Sequence, residues 1–402
     1  MLSVHQAVEH MLTTIKPITE SNPISIAQAV DFVLSAPVQS AVDVPSYNNS
    51  AMDGFAFRGK DLATSKQLRC IGKSLAGHPF TGVVGAGECI RIMTGAQVPE
   101  SVDTVAPQEN TSEIEADLIQ INSPTAVGAN VRLLGEELQI GAVVYEAGHR
   151  LTPVDIGMLA SLGIAEVAVY RPLKVAVFST GDELVLPGEN KQAFQLYDSN
   201  RFALHAMLER MGFDVLNLGL VADDPALIEA TFRDAASKAD AIVCSGGVSV
   251  GDADYTKAVI EKVGQVGFWQ VAMKPGKPFA FGQIDNTWFF GLPGNPVSAT
   301  VTLLQLATPA LRKLSGEGYN APLTIAAVAG EPLRKRPGRA DFQRGILRFE
   351  DGENRVYSAG PQGSGMLSSM VQGNCLIRLS VEQGNVAIGD SVEVELLQNP
   401  IK

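Results

Sequence analysis

The chain has 402 residues, 46% hydrophobic and 18% charged, with a formal net charge of −12. At roughly 150 residues per domain that length predicts about two to four domains, with enough apolar content for several cores. The acidic balance argues against a nucleic-acid binder, and no apolar run approaches the roughly 18 residues that span a bilayer, so neither nucleic acid nor membrane is an expected partner.

The opening segment MLSVHQAVEHMLTTI lacks a basic start, an apolar centre and a cleavage site, so it reads as a helix and not as a signal peptide. The expected compartment is the cytoplasm. Cys70, Cys89, Cys244 and Cys375 form no CxxC pair, and the five histidines show no HExxH or zinc spacing. Reduced thiols and no His/Cys metal centre are expected.

Helices are predicted at 3–15 and 26–34. The stretch PSYNNSAMDGFA (45–56) combines turn residues with Tyr, Met and Phe, the mixture of a binding loop or a buried interdomain connection. Short alternating runs at 68–72, 88–93, 104–107 and 117–121, separated by glycine-rich turns, predict β structure from 58 to about 138. A hairpin, a helix at 154–162 and a strand at 167–170 follow.

Residues 173 to about 316 alternate strand and helix, which predicts a mainly parallel sheet covered on both faces. Strands are expected at 174–179, 215–218, 241–244, 267–273, 278–284 and 287–291. Asp198-Ser199-Asn200 is placed to cap a helix that Gly212 stops, and Asp224-Pro225 to start another. A long helix begins after Pro293-Gly294-Asn295-Pro296. The tail from Tyr319 reads as β again, with Asp351-Gly352 as a hairpin turn.

The stretch most suggestive of chemistry is 240–257, DAIVCSGGVSVGDADYTK. A short buried strand breaks at Ser245-Gly246-Gly247 and leads through Asp252 and Asp254 into a helix. Paired glycines permit close backbone approach, and a loop entering a helix N-terminus suits an anion. The aspartates repel an anion unless a divalent cation lies between them. By itself the loop also fits a plain turn with Asp as N-cap. Its neighbours favour chemistry: two further loops end in Asp182-Glu183 and Asp223-Asp224, and another supplies Lys274 and Lys277 around Pro275-Gly276. Ligands bind at the carboxyl ends of parallel strands, so these loops would share one sheet edge. Acids for Mg²⁺ and lysines for an oxyanion are what metal-assisted phosphate chemistry needs. No Walker A sequence and no GxGxxG is present.

With these residues in view, the chain resembles the molybdopterin molybdenumtransferase family, an architecture also found as the C-terminal domain of gephyrin. The matching motifs are PSYNNSAMDGFA, IRIMTGAQVPE, FSTGDEL, YDSNR, DDP, SGGVSVGDADYTK, KPGKPFAFG and GLPGNPVSA, in family order over almost the whole chain. The resemblance implies an α/β multidomain protein. It would have a helical linker domain (1–44 plus 139–172), a β-rich second domain (45–138), a doubly wound molybdopterin-binding α/β domain (173–318) and a C-terminal barrel-like β domain (319–402). It implies Mg²⁺-dependent insertion of molybdate into adenylylated molybdopterin, release of AMP and formation of molybdenum cofactor. It also implies a homodimer whose cleft joins the α/β domain of one protomer to the second domain of the other, with a molybdopterin adenylyltransferase as a further partner. Catalytic residues would be Asp53, Thr94, Glu183, Asp223, Asp254 and Lys274. Glu183, Asp223 and Asp254 would bind the metal, and Arg132, Ser245, Gly246, Gly247, Lys277, Pro293 and Pro296 the substrate.

The segment Val131-Arg132-Leu133-Leu134-Gly135-Glu136-Glu137 departs from the family pattern of an arginine cluster followed by Gly-Glu-Asp, and Gln270 follows Trp269 where the family often has lysine. Both departures remove positive charge. The alternatives are a molybdopterin adenylyltransferase-like enzyme, which needs only the α/β domain, and a gephyrin-like scaffold, which needs an exposed apolar groove near the α/β and C-terminal domains.

Overall fold

The computed structural model describes residues 1–246 and 255–397. Its centre is a six-stranded sheet in the order Asp214–Val221, Lys174–Thr180, Ala241–Ser245, Thr287–Leu292, Pro278–Ile284, Gly264–Gln270. The first four strands run parallel and the last two are antiparallel additions. Side chains alternate across a strand, so Lys174–Thr180 sends Val175 and Val177 into one core and Ala176 and Phe178 into another. The first core takes Leu204, Met207 and Leu208 from the Asn200–Arg210 helix. The second takes Ile228, Phe232 and Ala235 from Pro225–Lys238. Phe232 meets Phe178 and Phe289 edge-on at centroid distances of 5.2 and 5.4 Å, the geometry aromatic quadrupoles prefer.

The helix starts follow the sequence closely. Asp224 accepts from the Ala226 and Leu227 N–H groups at 2.8 and 3.0 Å, with Pro225 at the first helical position. Asp198 accepts from the Arg201 N–H at 3.2 Å and pairs with its guanidinium at 2.8 Å, and Gly212 takes φ +83° beyond the helix end. The long helix after Asn295 is interrupted: Pro296–Thr302 and Thr308–Leu314 flank a wider, π-helical turn at Leu303–Ala307.

Three predicted elements differ. The hairpin expected after Gly141 does not form, because Val143–Tyr145 pairs with Val38–Gln39 instead. Residues 26–34 form only a single 3₁₀ turn, Ile26–Gln28. Asp31 takes φ +68°, and Val33 and Leu34 bridge to Arg150 and Val169. The preceding Ser21–Ser25 is a strand paired with Glu166–Tyr170. The expected strand at 267–273 is two: Gly264–Gln270 in the central sheet, and Met273–Lys274, which pairs in parallel with Ala340–Glu350 of the C-terminal sheet.

Ala7, Val8 and Met11 of the Val4–Thr14 helix share the first core of the central sheet. The second domain is a six-stranded sheet with an apolar cluster on each face. In the C-terminal region the strands Ala340–Glu350, Glu353–Ser358, Thr324–Ala329, Ser391–Leu396 and Cys375–Leu379 close on themselves, because the last pairs back onto the first. None of the four cysteines is disulfide-bonded. Among the described residues no helix is long and apolar enough to cross a membrane.

Candidate active site

The first strand of the central sheet has its successor on one side and the next strand on the other, the switch point at which open α/β sheets bind ligands. A cleft of about 690 Å³ lies at that edge. Thr180, Gly181 and Glu183 follow the first strand into it, Asp223 the second, Gly246 the third, and Pro293, Gly294 and Asn295 the fourth. Lys274, Pro275, Gly276 and Lys277 form another wall.

Tight backbone contacts set this geometry. Gly246 has φ +101°, and a Cβ there would lie 2.8 Å from the Thr180 carbonyl oxygen, so only glycine fits. Its N–H donates to the Leu292 carbonyl at 3.1 Å. A Cβ on Gly181 would come within 2.6 Å of the Glu183 carboxylate, which folds back over the loop. Asp182 and Asp223 tie their loops together: the Asp223 N–H donates to Asp182 Oδ1 at 3.0 Å, and the Asp182 N–H to Asp223 Oδ2 at 3.3 Å. Lys274 Nζ lies 3.2 Å from Asp341 Oδ2.

The cleft therefore gathers Glu183, Asp223, Gly246, Lys274, Lys277 and Pro293. Ser245 sits behind the wall, its hydroxyl accepting from Asn200 Nδ2 at 2.7 Å and donating to the Pro293 carbonyl at 3.4 Å. Pro296 starts the following helix and does not line the cleft. Gly247 and Asp254, with Asp252, lie outside the described residues.

Asp53, Thr94 and Arg132 lie on the second domain and do not line this chain's cleft. Asp53 Oδ1 accepts from the Thr94 N–H at 2.7 Å and its hydroxyl at 2.8 Å. The backbone bond first, then the hydroxyl, holds the Asp53 carboxyl below the usual carboxylate range. Arg132 is opposite Asn49 in a short strand pair, and the Leu134 N–H donates to Asn48 Oδ1 at 2.8 Å. The 45–56 and 131–137 segments are thus one patch, with Leu133 and Leu134 exposed on it.

Sequence reasoning missed the far wall. Arg339, Gln362, Gly363 and Ser364 come from the C-terminal domain, and Thr256 and Ser298 from helix starts. Arg344 organises that wall. It is fully buried, donating to Ser369 Oγ at 3.0 Å and to the Gly363 carbonyl at 3.1 Å, while its N–H meets Gln362 Oε1 at 2.8 Å. The only sequence sign was the glycine-rich run 360–365.

Among the described residues no group of three or more His, Cys, Asp or Glu side chains could hold a metal ion. Glu183 and Asp223 nevertheless supply hard oxygen donors at one cleft. Mg²⁺ characteristically takes one or two carboxylates, retained waters and substrate phosphates, so this donor set fits it.

Models of three regions match the chain: MoeA N-terminal region (domain I and II) over 2–163, probable molybdopterin binding domain over 176–313, and MoeA C-terminal region (domain IV) over 326–397. The chain is 47% identical to a molybdopterin molybdenumtransferase of Haemophilus influenzae, over 98% of both chains. It is 34% identical to one of Nostoc, over 92% of this chain and 86% of that one. Gephyrin of Dictyostelium discoideum matches at 30% over 99% of this chain and 62% of its own. The solved structure of a molybdopterin biosynthesis moeA protein from Pyrococcus horikoshii superposes with a TM-score of 0.85 at 26% identity, covering 98% of this chain and 100% of that one. On this full-length likeness, the chain belongs to the molybdopterin molybdenumtransferase family.

Proposed function

We propose that the protein inserts molybdate into adenylylated molybdopterin, releasing AMP and forming molybdenum cofactor, with Mg²⁺ required. The observation that carries this reading is the convergence of Glu183, Asp223, Lys274, Lys277 and Arg339 on one cleft at the carboxyl edge of the sheet. The lysines and Arg339 neutralise phosphate and molybdate oxygens in a site walled on three sides. Glu183 and Asp223, with Asp254, are the residues that would hold Mg²⁺. When bound, the ion supplies polarisation of the phosphoanhydride whose cleavage frees AMP. The Gly246 N–H is already bonded to the Leu292 carbonyl, so it is not among the donors open to an anion. The reading requires no nucleophile from the protein, because molybdate is the incoming group.

Asp53, Thr94 and Arg132 do not line their own chain's cleft, which supports a homodimer in which the second domain of a partner copy completes each site. Its adenylylated substrate would come from a molybdopterin adenylyltransferase. The direct test is AMP release from adenylylated molybdopterin with purified protein, Mg²⁺ and a molybdate titration. Molybdate-dependent release that falls at least about a hundredfold in Asp223→Asn is expected. Absence of release from a folded dimer overturns the reading.

One observation favours a second reading, the scaffold. A groove of about 910 Å³ lies between the Val4–Thr14 helix, Leu304 and Pro309 of the long helix, and Phe342 of the C-terminal domain. Full cofactor synthesis with no retention of apolar peptides would leave that groove without a binding role.

A further inference from the structure

We propose that Asp341 is the positioning residue for Lys274, and that through it the C-terminal domain sets the anion site of the cleft. This rests on the transferase reading for its catalytic meaning but not for its geometry.

Met273–Lys274 does not belong to the central sheet; it pairs in parallel with the C-terminal strand, Met273 beside Ala340 and Lys274 beside Asp341. Arg339, which also lines the cleft, immediately precedes that pairing. The Asp341 side chain is only 5% exposed, whereas that of Lys274 is 44% exposed and reaches into the cleft. Asp341 Oδ2 accepts from Lys274 Nζ at 3.2 Å and from Gln343 Nε2 at 3.1 Å. Gln343 is in turn held by the Arg334 carbonyl at 2.9 Å. Lys335, buried beside this carboxylate, is engaged with the Gln383 carbonyl at 2.9 Å. Burial pushes the Lys335 ammonium down, and the Asp341 charge opposes that. The carboxylate is therefore a fixed, buried anchor, and the lysine is the exposed partner. A lysine tied at one N–H keeps its other donors for a ligand while its long chain loses the freedom to swing away. Asp341 itself does not line the cleft, so it acts through Lys274.

The test is a double-mutant cycle with Asp341→Asn and Lys274→Met in the full-length protein. Two readouts are taken: binding of molybdate alone by titration calorimetry, and AMP release against molybdate. Asp341→Asn is expected to raise the molybdate dissociation constant and KM by roughly tenfold, with kcat changed less. In the Lys274→Met background the same substitution is expected to change neither. An equal effect in both backgrounds overturns the proposal, because Asp341 would then act by supporting the barrel alone. If Asp341→Asn does not fold, Asp341→Glu takes its place in the same cycle and must be non-additive with Lys274→Met; additivity rejects the proposal. Molybdate binding that obeys the cycle in a protein without AMP release would defeat the transferase reading and leave this inference standing.

Discussion

Gly276 offers a sharp test of how the lysine loop is held. It has φ +96°, and a Cβ there would overlap Thr302 Oγ1, with Met273 Cε at 3.4 Å and the Ser298 carbonyl at 3.6 Å. Gly276→Ala thus incurs two separable penalties. The left-handed conformation costs about 1–2 kcal/mol for a residue with a Cβ. Overlap in a close-packed site adds about 1–3 kcal/mol. The sum, about 2–5 kcal/mol, corresponds to a fall in Tm of roughly 8–20 °C at ~4 °C per kcal/mol. Thr302 Oγ1 is buried with no hydrogen-bond partner among the described residues, so Thr302→Ala alone should be near neutral or slightly stabilising. In the double variant only the conformational penalty should remain, recovering about half the loss. Calorimetry on the four proteins measures this, with molybdate-dependent AMP release alongside, since Lys274 and Lys277 flank the glycine. Wild-type stability and kinetics in Gly276→Ala, or no recovery on adding Thr302→Ala, would refute the reasoning.

Two other substitutions probe the supports of the fold. Burial opposes ionisation of Asp155, yet hydrogen bonds from Thr152, His149 and Tyr145 bring its carboxyl pKa down to about 2, below the ordinary value of 3.8. A depressed carboxyl contributes stability above its unfolded value that is lost as pH falls through about 2. Asp155→Asn should therefore cost about 2 kcal/mol at pH 7 by urea unfolding, with the difference shrinking between about pH 4 and 2; a pH-independent difference would contradict the assignment. Asn200 Nδ2 donates at 2.7 Å to both Ser245 Oγ and the Gly294 carbonyl. Asn200→Ala should lose about 1–3 kcal/mol and lower AMP release, while an unchanged rate would show that the two loops hold their positions without it.

Much of the α/β domain was legible because local and tertiary signals agree there. Val175, Val177, Ala176 and Phe178 are apolar at every position, as a strand covered on both faces must be. Asp224-Pro225 and Gly212 mark helix ends by their own chemistry. Residues 26–34 misled because helical apolar spacing there is overridden by strand bridges to Arg150 and Val169. For the site, the acids and lysines followed from the rule that loops at strand ends meet. Arg339, Gln362 and Ser364 did not, because no local pattern says that a closed β domain turns its loop tips onto another domain's sheet. The exposed Leu133 and Leu134 were visible in sequence, and the contact of Leu134 with Asn48 only in the fold.

The residues just before the lysine loop are clasped from opposite ends of the chain. Leu2 donates to the Gln270 carbonyl at 2.9 Å and accepts from the Ala272 N–H at 2.7 Å, while the Ala272 carbonyl accepts from the Ala340 N–H at 2.8 Å. A few residues thus close contacts of very high sequence separation, which form slowly against loop entropy. The lysine wall should be among the last parts of the protein to become protected during folding. In native-state hydrogen exchange the Ala272 and Ala340 amides should open together, reporting release of the terminal domains before the central sheet unravels.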